Sequence, residues 1–274
     1  MLYNHSVPMS TALESPSSAV ERTLAILEAL AGRSSGLSNA EISRKLEIPK
    51  SSASYILRAL EKHGYLRRDR DSGKYRLGVK VLSLGRGALS GLDVREVALP
   101  VMRQLMAHTG MTSHLAILDG SEAVYVEKVD SGGFIKMNTW IGRRMEVYST
   151  SVGKALVAYI PEPQVMAIIK QRGLARRTPK TITSAAKFLR ELERVRELGY
   201  SLDDEENTLG VRCVGAPIFN AAGEIEASLN VTGTTQQIDE HTLPRIADMV
   251  KEAARRVSLQ LGYRPHAHRH AAHA

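Results

Sequence analysis

The stretch SNAEISRKLEIPKSSASYILRALEKHGYLRRDRDSGKYRL, residues 38–77, decides the fold of the N-terminal part of the chain. Ser38 and Glu41 have the spacing of a capping box, in which the serine oxygen accepts a backbone N–H three residues on and the glutamate reaches back. Pro49 separates this short helix from the next, and proline is well tolerated where a helix begins. The pattern therefore predicts two consecutive helices joined by a tight break.

The second of these helices is predicted over residues 50–63, with one apolar stripe and one polar face. The stripe carries at helical spacing Ala53, Ile56, Leu57 and Leu60. After Gly64 the residues alternate as they do in strands, around a turn at residues 71–73. A first amphipathic helix is predicted over residues 18–33, with an apolar stripe of Leu24, Ile26, Leu27 and Leu30. The order of three helices and a hairpin predicts a winged helix-turn-helix.

The positive charge of the chain is concentrated in this N-terminal part. The net charge of the whole chain is +8. Residues 17–90 contain 14 Lys or Arg against 7 Asp or Glu, whereas residues 91–274 contain 23 against 21. Such a concentration is typical of a domain that meets a polyanion. On charge alone, a solvated basic surface is the alternative, and some winged helices bind proteins instead of DNA.

The polar face of the second helix suits the major groove of double-stranded DNA. Small hydroxyl side chains permit close approach, while basic and aromatic ones reach phosphates and base edges. The hairpin would lie beside the helix, near the phosphates. The residues predicted to contact DNA are Ser38, Lys50, Ser51, Ser52, Ser54, Tyr55, Arg58, Arg67, Arg68, Lys74 and Arg76.

The remainder of the chain alternates helices with antiparallel hairpins, which indicates an α+β architecture. Strands are predicted over residues 112–118, 123–129, 134–139, 200–203, 213–219 and 226–232. Helices are predicted over residues 93–110, 150–160, 163–172, 185–198 and 239–261. Residues 78–90 are helix-like and connect the two parts.

The composition also bears on the compartment. One cysteine, Cys213, excludes an internal disulfide framework and fits a reducing cytoplasm. No run of eighteen apolar residues occurs, so no transmembrane helix and no membrane partner are expected. The first sixteen residues lack the basic start of a signal peptide and read as a disordered lead-in.

From about residue 18 to residue 264 the chain resembles the IclR family of transcriptional regulators. Three segments carry the resemblance, and they are YRLG at 75–78, TSVGKAL at 150–156 and GYSLDDEENTLGVRCVGAPIF at 199–219. The resemblance implies a GAF-like effector domain, a helical linker, and a homodimer or a dimer of dimers. It also implies binding to a palindromic operator, with repression or activation of nearby genes.

The domain boundaries follow from the pattern and the resemblance together. We expect a lead-in over residues 1–16, a winged helix-turn-helix over 17–78 and a linker helix over 79–92. A GAF-like effector-binding domain is expected over residues 93–263, with a disordered histidine-rich tail over 264–274.

Because family members bind small organic acids or aromatic compounds beside the central sheet, the resemblance implies a small-molecule effector. We expect no cofactor and predict no metal ligands. The implied effector-binding residues are Phe134, Met137, Ser151, Val152, Asp203, Val211, Cys213, Asn230 and Thr232. Asn230 and Thr232, two apart on a strand, face the same way and could hydrogen-bond a carboxylate or hydroxyl. Backbone N–H groups at the start of the helix at Ser151 offer an anion seat.

Other interpretations of the second domain give it an enzymatic or metal-binding role. Cys213 with His114 could form a thiol nucleophile and base, although a cysteine in an apolar strand is usually a small buried hydrophobe. Asp203 could join these two residues around a metal. Lys154 is expected at the helix surface or in a salt bridge.

Overall fold

The computed structural model describes residues 18–31, 33–89, 93–132 and 138–264, apart from the side chains of Arg86, Ala88 and Leu89. The chain divides into two compact units, one ending at Gly91 and the other beginning at Leu92. The lead-in, the tail beyond residue 264, and the candidate effector-binding residues Phe134 and Met137 lie outside the described residues.

The N-terminal unit contains the predicted three helices and hairpin, followed by the connecting helix. Its elements are α1 (Ala19–Ala31), α2 (Asn39–Leu46), α3 (Lys50–Lys62), β1 (Leu66–Arg68), β2 (Tyr75–Leu77) and α4 (Lys80–Leu89). The two strands are antiparallel, with Leu66 opposite Leu77. The winged helix-turn-helix prediction is therefore confirmed.

The capping box forms at the start of α2 as its spacing predicts. The Glu41 backbone N–H donates to Ser38 Oγ at 3.3 Å, and the Ser38 backbone N–H donates to Glu41 Oε2 at 2.7 Å. The helix ends at Glu47, whose φ of 54° lies in the left-handed region. Because the chain turns here, α3 runs in a different direction from α2, as a helix-turn-helix requires.

The core of the N-terminal unit is built from one stripe of each of α1, α2 and α3 and from the inner residues of the hairpin. All four residues of the predicted α3 stripe are buried. In α1, Ile26 and Leu30 are buried, but Leu24, predicted for the same stripe, is 55% exposed. Leu24 lies two residues before Ile26, and therefore about 200° around the helix axis.

The C-terminal unit is an α+β domain around one antiparallel sheet. Its helices are α5 (Asp93–Thr109), α6 (Ser151–Val157), α7 (Glu162–Arg172), α8 (Ala185–Leu198) and α9 (Leu243–Gln260). Its strands are β3 (Thr112–Asp119), β4 (Glu122–Val129), β5 (Arg144–Glu146), β6 (Ser201–Asp204), β7 (Val211–Phe219) and β8 (Ile225–Thr234). The six strands lie in the order β5-β4-β3-β8-β7-β6.

Some elements differ from the sequence-based expectation. The strand predicted over residues 134–139 lies mainly outside the described residues, and Asn138 and Thr139, which are described, are not in a strand. The short edge strand β5 was not predicted, because three residues are too few to show an alternating pattern. Helix α9 begins at Leu243 instead of residue 239, since Asp239 accepts the Thr242 backbone N–H at 2.8 Å in a preceding turn. Among the described helices none is both long and apolar enough to cross a bilayer.

Both faces of the sheet are covered by helices. On β8, Ser228 and Asn230 point toward α6, whose Val152 carbonyl and Ser151 hydroxyl they contact. Leu229, which alternates with them, points to the other face, where α5 and α9 pack. Gly215 permits this close approach of α6, because a Cβ there would lie 3.0 Å from the Ser151 carbonyl. Helix α6 is thereby seated directly over β7 and β8.

Candidate functional site

The polar face of α3 is exposed because its apolar stripe is fixed in the core. Lys50, Ser51 and Arg58 are exposed, and Tyr55 is 72% exposed. Ser52 and Ser54 are half-buried. This face thus presents hydroxyl groups beside two cations and one phenol, as the sequence predicts for a groove-binding helix.

Several of the predicted DNA contacts already have hydrogen-bond or ion-pair partners within the protein. The Ser38 hydroxyl accepts the Glu41 N–H, and Ser52 Oγ accepts a hydrogen bond from Arg22 at 3.2 Å. Lys74 Nζ lies 3.6 Å from Glu41 Oε1. The last of these is a partly exposed ion pair, which contributes little and is readily exchanged for a phosphate.

The hairpin brings several arginines together. Arg67 and Arg76 are direct cross-strand partners. Like charges in this relation are destabilising unless an anion neutralises them. Arg68 lies with its guanidinium carbon 5.6 Å from the centre of the Tyr75 ring and donates through Nε to the Gly73 carbonyl. The hairpin is therefore suited to bind an anion such as a phosphate.

The C-terminal unit contains a cavity of about 250 Å³ bordered by α6 and the central strands. Six of the residues that the resemblance implies line this cavity, and they are Ser151, Asp203, Val211, Cys213, Asn230 and Thr232. Val152 does not line it, because its side chain packs into a cluster with Ala123, Met145 and Leu156. Consecutive residues of a helix point in different directions, so Ser151 faces the cavity while Val152 faces the core.

A continuous hydrogen-bonded network crosses the cavity wall. Asn230 Oδ1 accepts from the His114 backbone N–H and from His114 Nδ1, both at 3.1 Å. Nδ1 must then carry the proton, so Nε2 accepts from the Thr139 hydroxyl at 2.8 Å. Asn230 Nδ2 donates to Ser151 Oγ at 3.2 Å. Burial lowers the pKa of His114 to about 4, so the imidazole is neutral.

His114 also forms part of an aromatic wall. Its ring stacks on Tyr125 with centroids 4.4 Å apart. Sequence reasoning considered His114 only as a base or a metal ligand, whereas both ring nitrogens are occupied by the network just described.

Asp203 is a buried carboxyl group at the floor of the cavity, with 3% of its surface exposed. Its Oδ1 accepts the backbone N–H groups of Glu206 at 2.8 Å and Asn207 at 3.2 Å. Burial raises the pKa of Asp203 to about 7, against the opposing effect of Lys154. Burial likewise raises the pKa of Cys213, which lines the same cavity as Asp203 and Thr232.

Behind Asp203 lies a buried ion cluster that the sequence did not predict in full. Lys154 is completely buried, and its Nζ pairs with Glu206 at 2.5 Å and Glu191 at 3.3 Å. The expected salt bridge is therefore present, but the expected surface position is wrong. Helix α6 packs against α8 and the sheet together, which leaves none of its residues at the surface.

The geometry argues against the enzymatic and metal-binding interpretations. A thiol with a raised pKa is not a thiolate nucleophile at neutral pH. Asp203, Cys213 and His114 do line one cavity. Over the described ranges, however, no group of three or more histidine, cysteine or acidic side chains is arranged to hold a metal ion.

Several residues that line the cavity were missed by the sequence reasoning. They lie mainly in the loops before β5 and after β6, and they are Asn138, Thr139, Arg143, Asn207 and Thr208. Loop residues follow no hydrophobic period, so the sequence offered no signal for them. Asn207 lies within the segment at 199–219 that carries the resemblance and could have been proposed on that ground.

Two family models match the chain over nearly all of its described length. The one described as the IclR helix-turn-helix domain matches residues 19–70. The one described as the bacterial transcriptional regulator IclR C-terminal domain matches residues 86–259.

Individual relatives give the same result. The transcriptional regulator XynR of Escherichia coli K12 is 35% identical over 89% of this chain and 97% of its own length. The transcriptional repressor AllR of the same strain is 32% identical over 90% of this chain and 92% of its own. The crystal structure of Thermotoga maritima IclR superposes with a TM-score of 0.76 and 33% identity, covering 89% of this chain and 98% of that one.

Proposed function

The chain belongs to the IclR family of bacterial transcriptional regulators, and we propose that it represses transcription from a palindromic operator in response to a small organic acid. The family consists of DNA-binding regulators with a C-terminal effector-binding domain, not of enzymes. Repression is proposed because the relative AllR is named a repressor. A regulator of this kind acts where the chromosome is, in the cytoplasm.

For the DNA interface we propose the exposed face of α3 and the hairpin. The observation that supports it is that Arg67 and Arg76 lie opposite each other, so that a bound anion would reduce their mutual repulsion. In the same unit, helix α3 exposes Lys50 and Arg58. The predicted serines remain part of the proposal, since a hydroxyl that accepts one hydrogen bond can still donate to a phosphate. Short side chains let the helix approach the groove.

The salt dependence of duplex binding tests this interface. We expect the logarithm of affinity to fall linearly with the logarithm of salt, and an Arg58→Ala, Arg67→Ala double variant to lessen that slope by about 1.8 per protomer. The matched control is Lys187→Ala with Arg190→Ala, which removes two exposed cations from α8. Unchanged affinity and slope in the first variant would favour a winged helix that binds protein.

For the effector site we propose the cavity beside α6. Its polar lining supports an oxygen-rich ligand, because Ser151, Asn230 and Thr232 place hydroxyl and amide groups on neighbouring elements. We propose that Asp203, Val211 and Cys213 contact the effector as well. Val152, Phe134 and Met137 stay candidates from the resemblance, Val152 through its backbone.

A thermal-shift screen of carboxylic acids, sugar acids and aromatic acids tests the effector proposal. A ligand at 100 times its dissociation constant adds about 2.7 kcal/mol to the unfolding free energy of the domain that binds it. Hits should lose their effect in Asn230→Leu, which removes the centre of the network. Stabilisation that survives this change would locate the ligand elsewhere.

We further propose a homodimer, with a dimer of dimers as the larger assembly. Val79, just before α4, is 80% exposed, and Leu82 and Leu84 on α4 are 72% and 56% exposed. Exposed apolar side chains that lie near one another in this way favour burial against a second copy of the chain. Leu82→Glu should then shift the mass in analytical ultracentrifugation toward the monomer, whereas an unchanged mass would exclude α4 from the interface.

The domain boundaries are proposed as expected from the sequence. They are a lead-in over 1–16, a DNA-binding domain over 17–78, a linker over 79–92, an effector-binding domain over 93–263 and a tail over 264–274. We propose that the effector biases two arrangements of the dimer through residues 79–110. A ligand shifts such an equilibrium only by its difference in affinity for the two states.

A further inference from the structure

Arg143 is a cation at the cavity that has no carboxylate partner among the described residues. It is half-buried and lies in the loop that leads into β5. Its neighbour Arg144 is different, because it is exposed and pairs with Asp119 and Glu122. A half-buried cation without an acidic partner is costly, and a bound anion would offset that cost.

The guanidinium of Arg143 is held in position by uncharged groups. Its carbon lies 4.9 Å from the centre of the Trp140 ring, and Nη1 donates to the Asn138 carbonyl. Arginine has five N–H donors in a fixed fork, so most of them remain for a ligand. Stacking on an aromatic face leaves the edge of the fork open to a planar carboxylate.

The other titratable groups that line the cavity carry no permanent charge. His114 is neutral, and burial raises the pKa of Tyr125 far above neutrality, as it does that of Cys213. Asp203 has a pKa near 7, so it is about half protonated at neutral pH. Arg143 is therefore the permanent charge of the described cavity lining.

We propose that Arg143 binds the carboxylate of the effector, and that this loop residue makes the cavity select an anionic ligand over its neutral analogue. The inference rests on the proposed function, since it requires a small molecule in this cavity. It adds to that proposal a ligand class, which is a monoanionic carboxylate with a polar, uncharged remainder that meets the hydroxyl and amide groups around Asn230. It also assigns a residue outside the set implied by the family resemblance.

Trp140 supplies the readout because it is the single tryptophan of the chain. A carboxylate that engages Arg143 changes the charge beside the indole ring. Binding can thus be followed by the intrinsic fluorescence of the full chain. Calorimetry of the same samples gives an independent dissociation constant.

The test compares acids with their own carboxamides, namely lactate, benzoate and D-gluconate with lactamide, benzamide and D-gluconamide. The wild type should bind at least one acid about tenfold or more tightly than its amide. Arg143→Met should remove that preference by weakening the acid about tenfold or more while leaving the amide within about twofold. Arg143→Lys should be intermediate, because it keeps the charge and loses the fork.

Arg144→Met is the matched control and should bind acid and amide as the wild type does. Melting of each ligand-free variant shows whether the domain is folded. An Arg143→Met protein that is folded and retains the preference for the acid, or that loses acid and amide equally, would overturn the inference while leaving the effector cavity intact. Failure of every acid to bind the wild type would instead overturn the proposed effector class, and the inference with it.

Discussion

Asp203→Asn should make the C-terminal unit less sensitive to pH, because it replaces a buried carboxyl group with a neutral isostere. The amide oxygen of asparagine can still accept the backbone N–H groups of Glu206 and Asn207, so the loop after β6 keeps its hydrogen bonds. The substitution therefore removes the titration of the group and little else.

The magnitude follows from the raised pKa. Burial raises the pKa of Asp203 from 3.8 to about 7, so the folded protein holds a proton that the unfolded chain releases in that window. The unfolding free energy consequently falls as pH rises from about 4 to about 7. At 1.36 kcal/mol per pKa unit the full effect is about 4 kcal/mol, of which roughly 2–3 kcal/mol falls between pH 5 and pH 8.

Urea unfolding at pH 5 and pH 8, followed by the fluorescence of Trp140 in the same unit, measures this difference. Between these two pH values the wild type should lose about 2–3 kcal/mol more than Asp203→Asn does. Asp204→Asn is the control. Burial raises the pKa of Asp204, but hydrogen bonds from Arg212 and Lys180 outweigh burial, so the pKa lies below its usual value. Equal pH dependence in the wild type and Asp203→Asn would refute the assignment of a proton to Asp203.

Three further changes should alter stability in ways that melting curves can rank. Gly153→Ala should destabilise the C-terminal unit severely, because the added Cβ would overlap the Val147 backbone. The distance from this Cβ to the Val147 carbonyl oxygen would be only 2.6 Å. Lys154→Met should cost about 3–5 kcal/mol by leaving Glu206 buried without its cation, and a milder loss in Lys154→Met with Glu206→Gln would support that reason. Ser38→Ala should cost the N-terminal unit about 1 kcal/mol through loss of the α2 cap, and no change would contradict the capping geometry.

The elements that the sequence predicted well are those with a strong local signal. The capping box at Ser38, the α3 stripe and the hairpin around Gly73 each depend on residues close in the chain. The spacing of their apolar residues also indicates which face is buried. Which face of α3 is exposed could therefore be predicted from the sequence.

The cavity was predictable only in part, because it is assembled from distant segments. Family resemblance identified the residues on β6 to β8, such as Asp203 and Asn230, but not Arg143 in a loop without period. Lys154 was misplaced for a similar reason. Its burial depends on α8 and on the loop carrying Glu206, which lie 37 and 52 residues further along the chain.

The most direct test of the account is the affinity of the full chain for its operator with and without the acid that binds the cavity. Fluorescence anisotropy of a labelled duplex from the upstream region of a regulated gene would give both dissociation constants at one salt concentration. We expect the acid to change the affinity for the operator by about tenfold, equivalent to a coupling free energy of about 1.4 kcal/mol, and to have no such effect in Arg143→Met. Equal operator affinity in the presence and absence of a saturating, demonstrably bound acid would contradict the coupling between the two units.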